Sequence, residues 1–124
     1  MNTLLNIDCV SKRFGGMVVV DQLSFAVAKG EALGIIGPNG AGKSTIFNLI
    51  AGDVAVDTGT IAFNGADVSR LPPHSRCHAG IGRTYQIPQP FGQMSVFENL
   101  LVGATVSGRH GDASIYDHCV RVLK

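Results

Sequence analysis

No apolar run in the sequence approaches the roughly 18 residues that a membrane span needs, and the opening MNTLLNIDCV turns polar after two leucines. Neither a membrane helix nor a signal peptide is expected. Charge is scarce as well. Ten Lys and Arg face nine Asp and Glu, a net +1, so no strong field favours a nucleic-acid backbone or an anionic membrane. Cys9, Cys77 and Cys119 are few, far apart and without a CxxC pair, which argues against a disulfide framework and suits a reducing compartment. Only two glutamates occur, Glu31 and Glu98; one enters an apolar strand and the other caps a helix, so neither is available as a catalytic glutamate. What is present is 45% apolar residues and 16 glycines in 124 positions. That is too apolar for a disordered tail and too short for two separate cores.

The glycines sit in short clusters that punctuate the apolar segments. Leu4–Val10, Met17–Val20 and Leu23–Val27 read as strands separated by SKRFGG and DQ, and a polar turn over residues 28–31 leads into another apolar strand, Ala32–Ile36. Ile46, Phe47, Leu49 and Ile50 recur at helical spacing, giving an amphipathic helix over Lys43–Ala51 that stops near Gly52. Thr60–Phe63 is a strand with Asn64-Gly65 as its turn, Pro72-Pro73 breaks the chain, and Ile81–Gln86 is extended. Beyond Pro90 the period becomes helical. Ser95-Val96-Phe97-Glu98 is a capping box opening a helix to about Gly103, and Asp112 can cap a last helix with Ile115, Cys119 and Val122 alongside Tyr116, Val120 and Leu123.

Between the Ala32–Ile36 strand and the helix, Gly37-Pro38-Asn39-Gly40-Ala41-Gly42-Lys43-Ser44 fits G-x-x-x-x-G-K-[ST]. Glycines let backbone N–H groups converge on phosphates, and the new helix adds the positive end of its dipole. Lys43 would reach the β and γ phosphates and the Ser44 hydroxyl would hold Mg²⁺. A bland glycine-rich turn has no need of Lys and Ser at those places.

GPNGAGKST, preceded by KRFGG and followed by GIGRTYQIPQPF and SVFENLLVGA, resembles the ATP-binding subunits of ABC transporters, most of all the branched-chain amino acid importers, with urea-type relatives close by. The resemblance implies an α/β P-loop NTPase core with an N-terminal antiparallel β subdomain over residues 1–92 and the start of a helical subdomain over 93–124, incomplete as it stands. It makes Phe14 the aromatic that stacks on adenine, Gly37 to Thr45 the Walker A segment, and Gln86 the Q-loop glutamine that contacts Mg²⁺ and water. A ring face is a sequence-tolerant platform for a base, and an amide binds metal without titrating. Taken alone, an aromatic between a strand and a Gly-Gly turn reads as packing. The implied cofactors are ATP and Mg²⁺, the latter on Ser44 and Gln86. The implied partners are transmembrane permease subunits, a second ATP-binding subunit and, indirectly, a solute-binding protein, at the cytoplasmic face of the plasma membrane.

Hydrolysis in that family also uses an apolar strand ending in Asp-Glu, an LSGGQ-type signature and a switch histidine after the Q-loop. Residues 1–124 hold none of them. Met17-Val18-Val19-Val20-Asp21 imitates the first but precedes the P-loop, and Val106–His110 lacks the second glycine and the glutamine of the signature. His74, Cys77 and His78 have no fourth ligand nearby for a Zn²⁺ site. Two functions therefore stand at this point: the N-terminal part of an importer's ATP-binding subunit, or a truncated nucleotide-binding fragment without turnover. A soluble P-loop kinase or GTPase is a remote third, since it would explain neither the aromatic-Gly-Gly nor the Gln86 segment.

Overall fold

The computed structural model describes residues 2–37, 42–84, 89–107 and 112–124. By packing, it divides into two compact units, Met1–Arg76 and Cys77–Lys124.

The first unit is built on an antiparallel sheet of order β2-β1-β3-β4, with β1 at Thr3–Phe14, β2 at Met17–Ala28, β3 at Thr58–Phe63 and β4 at Ala66–Asp67. The three short N-terminal strands expected from the sequence are two long ones. Only Gly15-Gly16 turns the chain, whereas Cys9 and Gln22 take up left-handed φ values of 50° and 45° as bulges within the strands. Each bulge leaves the ladder locally irregular, and two hydroxyls fill in: the Cys9 N–H donates to Ser24 Oγ at 2.8 Å, and the Gln22 N–H to Ser11 Oγ at 2.8 Å. The Cys9 bulge also changes the strand period from two to three, so Ile7 and Val10 both face inward and are buried. Gly59 permits this crossing, since a Cβ there would stand 2.4 Å from the Cys9 carbonyl oxygen.

The turn at Asn64-Gly65 is as expected, with φ of 51° and 83°, the pair of positive values that a two-residue hairpin needs. Helix α1 runs over Lys43–Ala51 and closes on Gly52 in the left-handed conformation, whose N–H bonds back to Asn48. Leu49, only 2% exposed, buries the helix's inner face; among the described residues of this unit Ile7, Val10, Val20, Ile61 and Val68 are buried with it. Burying a leucine of this kind is worth about 1.5–3 kcal/mol. Pro73 does more than break the chain: it stands first in helix α2, Pro73–Ala79, where its missing N–H costs nothing.

Residues Ala32–Ile36 do not form the expected strand. Leu33 is 48% and Ile36 98% exposed, and among the described residues no strand pairs with this segment. An apolar run has strand propensity, but a strand exists only as one member of a ladder. The extended piece expected over Ile81–Gln86 has no regular structure at 81–84, and its last two residues lie outside the described ones.

The second unit carries α3, Val96–Ser107, and α4, Asp112–Leu123. The capping box is formed in full: the Ser95 N–H donates to Glu98 at 3.0 Å and the Glu98 N–H to Ser95 Oγ at 3.1 Å. These bonds hold the Glu98 carboxyl below its ordinary value. The helix continues past Gly103 for another turn. Phe97 and Tyr116 join the two helices with ring centroids 5.1 Å apart, and Ile115 and Cys119 are buried while Val122 and Leu123 are exposed. Among the described residues no helix is long and apolar enough to cross a membrane.

Candidate functional site

The P-loop motif runs into α1, whose first two residues are its Lys43 and Ser44, while the strand expected before it is not formed. Pro38, Asn39, Gly40 and Ala41 are outside the described residues, but both ends of the loop are defined. The Lys43 ammonium donates to the Gly37 carbonyl, so this side chain spans the loop from its last residues to its first. Gly42, at φ 92°, caps the helix without a side-chain bond, and the first turn of α1 holds no acidic residue. Gly42 therefore gives the leading N–H groups of α1 no side-chain cap, and the helix's own first turn sets no carboxylate against the positive end of its dipole. Ser44 is exposed and Thr45 half-buried at this end.

Gly42 also ties the loop to the sheet. A Cβ there would stand 2.9 Å from the Val19 carbonyl oxygen and 3.3 Å from Val19 Cγ1, so only glycine allows this approach. Val19 belongs to the end of the β1–β2 hairpin where Lys12 pairs with Val20, Arg13 with Val18 and Phe14 with Met17. Met17 is two residues from Val19, or about 7 Å along a strand. Phe14 thus stands at the tip of an arm whose base touches the end of the loop. The residue is 48% exposed, with the Lys12 ammonium 5.3 Å from its ring centroid.

Two further side chains hold this assembly, and neither was singled out from the sequence. Asp57 accepts from Lys12 Nζ at 3.1 Å and from the Arg13 N–H at 2.8 Å, and these contacts, the backbone one foremost, lower its pKa from the ordinary 3.8. Arg76 is buried and donates to four carbonyls: Leu71 and Ser69 at 2.9 Å each, and Leu49 and Ile50 in the last turn of α1 at 2.5 and 3.1 Å. Desolvation lowers its pKa from the usual guanidinium value. The guanidinium also lies against Gly52, where a Cβ would meet Nε at 3.0 Å. A sequence signal existed for Lys12, two residues before Phe14 and so on the same strand face. None existed for Arg76, because its partners are backbone atoms.

Gln86 lies outside the described residues, so its expected partnership with Ser44 on a metal has no geometry here. The donor set that is described, a lysine spanning a glycine loop, an exposed hydroxyl and an uncapped helix N-terminus, fits a nucleoside triphosphate with its Mg²⁺. A separate cleft of about 720 Å³, bordered by Asp57, Gly59, Asp67, Arg70, Pro72 and Arg76, includes none of the loop residues. Its charged groups are largely engaged already: Asp57 with Lys12, Asp67 with Ser69 and Arg76 with carbonyls.

Residues 20–122 match the ABC transporter family model. A probable branched-chain amino acid transport ATP-binding protein LivG from Archaeoglobus fulgidus is 41% identical over 98% of this chain and 51% of its own length. The lipopolysaccharide export system ATP-binding protein LptB of Escherichia coli K12 is 41% identical over 74% of this chain and 38% of its own. Among solved structures, a nucleotide-free ATP-binding cassette from an ABC transporter superposes with TM-score 0.74 at 39% identity, covering 93% of this chain and 46% of that one. An ATP-binding cassette in its ADP conformation gives 0.76 at 38% identity, with coverage of 94% and 46%. The chain spans about half the length, or less, of the curated relatives it matches. Its fold is that part of the P-loop ATPase cassette which these residues cover.

Proposed function

Because this chain belongs to the ABC transporter family, we propose that it carries the nucleotide half-site of a transport ATPase subunit: the Walker A loop over Gly37–Thr45, the adenine platform at Phe14 and the Q-loop glutamine at Gln86. The observation that carries this reading is Lys43, whose ammonium lies across the loop onto Gly37 at the uncapped start of α1. On binding, Lys43 exchanges a neutral carbonyl for anionic β and γ phosphate oxygens, a charge-assisted bond roughly twice as strong. Backbone N–H groups of the loop and of the first turn of α1 orient the phosphates, and Phe14 stacks on the base. Ser44 and Gln86 would hold Mg²⁺, which supplies charge neutralisation across the phosphate oxygens.

For the substrate we favour uptake of branched-chain amino acids or a similar small solute, on the LivG relatives; the LptB relatives keep a lipid-exporting assembly as the competing substrate class. Transmembrane permease subunits and a second ATP-binding subunit would complete the machine at the cytoplasmic face of the membrane, with a solute-binding protein delivering cargo. One observation favours binding without turnover by these 124 residues. Of the two glutamates, Glu98 is engaged in the Ser95 capping box and Glu31 stands in the turn before Ala32–Ile36, which leaves neither as a base to polarise water.

Titration of the 124-residue chain with a fluorescent ATP analogue, wild type against Lys43→Ala, tests the reading. Loss of at least tenfold in affinity is expected when the phosphate loses its one lysine in the loop. Equal affinity in the two proteins would move the nucleotide site elsewhere.

A further inference from the structure

The β1–β3 ladder ends at the Ser11↔Thr58 pair, and beyond it the β1–β2 hairpin that bears Phe14 continues as a two-stranded ribbon. Such ribbons are marginal alone in water. Asp57 stands just before β3 and extends its grip past the ladder's end by three bonds. Its N–H donates to the Ser11 carbonyl at 3.1 Å, Oδ1 accepts from Lys12 and Oδ2 from the Arg13 N–H, one residue short of Phe14. The Lys12 side chain is only 14% exposed, and the same ammonium that meets Asp57 lies over the Phe14 ring. One carboxylate therefore fixes both the backbone before Phe14 and the cation on its ring.

We propose that Asp57 is a positioning residue for base recognition, acting through Lys12 and Arg13 to hold the Phe14 ring where a purine stacks on it. This rests on the nucleotide reading of the P-loop and deepens it. Lys12 lies over the ring and Phe14 as a residue remains about half exposed, which gives a planar base a surface to meet. The phosphates are held by a different group of residues, from Gly37 to Thr45. Base and phosphate contributions are therefore separable by ligand.

The test measures affinities of the 124-residue chain for Mg-ATP and for inorganic tripolyphosphate, which has the phosphates and no base, in wild type and in Asp57→Asn, Asp57→Ala, Phe14→Ala, Asp57→Ala with Phe14→Ala, and Lys43→Ala. Loss of one base–aromatic stack is worth roughly five- to 150-fold. Phe14→Ala is expected in that range for ATP, Asp57→Ala about fivefold, and Asp57→Asn between wild type and Ala, with tripolyphosphate affinity unchanged in all three. In the double variant the Asp57 effect disappears, since no ring remains to be positioned. Equal losses for both ligands would make Asp57 a general stability element and overturn the proposal, as would additive losses in the double variant or no loss at all. If Lys43→Ala leaves both ligands bound as in wild type, the P-loop reading itself fails and takes the proposal with it.

Discussion

The two ends of α1 are treated in opposite ways. At its C-terminus Gly52 closes the helix in the left-handed conformation and Arg76, buried, donates to the Leu49 and Ile50 carbonyls. At its N-terminus Gly42 offers no side-chain cap and the first turn no acidic residue. A capping side chain in place of Gly42 would add only a few tenths of a kcal/mol, so the contrast lies less in stability than in which backbone groups are left without a side-chain partner. The contrast teaches that the bare end is held in place from behind. Arg76 and the packing of Leu49 anchor the helix, and in the proposed site its first N–H groups would then face the phosphates without a side-chain cap of their own.

Removing the anchor should have the largest effect. Arg76→Ala leaves buried carbonyls without donors, and a loss of about 3 kcal/mol or more in unfolding free energy is expected from denaturant titration. Arg76→Lys should recover little, because a single ammonium cannot reproduce the planar fork. A loss under about 1 kcal/mol would mean that the C-terminal end of α1 is held by packing alone.

Ser44→Asp sharpens the same contrast from the other side. An anion in the first turn should raise stability by about 0.3–1 kcal/mol through the helix dipole while lowering ATP affinity, because it occupies the field meant for phosphate. Stability and binding measured on one preparation should move in opposite directions. A rise in both would show that the N-terminus is not where the anion sits.

The smallest expected effect is that of acid. Asp57 has its pKa lowered by the Arg13 N–H first and Lys12 second, so its contribution is present above its ordinary value of 3.8 and fades as pH falls through the lowered one. The first turn of α1 carries no carboxylate. In a titration from pH 6 to pH 2 followed by amide shifts, the Arg13 N–H should move in that acid range, while the amides of Lys43–Ile46 stay in place until global unfolding.

What could be read in the sequence was whatever depends on neighbours along the chain. The bounds of α1, the Asn64-Gly65 turn and the Ser95–Glu98 box are all local chemistry, and each stands as expected in the described residues. Where distant residues decide, the reading failed. Cys9 and Gln22 pass through left-handed bulges because Ser24, Ser11 and Gly59 accommodate them, which a period count cannot foresee. Arg76 recognises carbonyls and Asp57 grips a neighbouring strand, and backbone partners leave no pattern in side-chain types. For Ala32–Ile36 the apolar run gave the propensity correctly, but pairing decides whether a strand forms.

The central claim, that the bare N-terminus of α1 and the arm tipped by Phe14 form one nucleotide site, is tested most directly by mapping backbone amide shifts while Mg-ATP is added. The account predicts that the largest changes fall on Gly42, Lys43, Ser44 and Thr45, with a second group at Arg13, Phe14 and the Gly15-Gly16 turn, saturating together. Changes centred on the cleft between Asp67 and Arg76, or shifts at the loop without any at the arm, would contradict it.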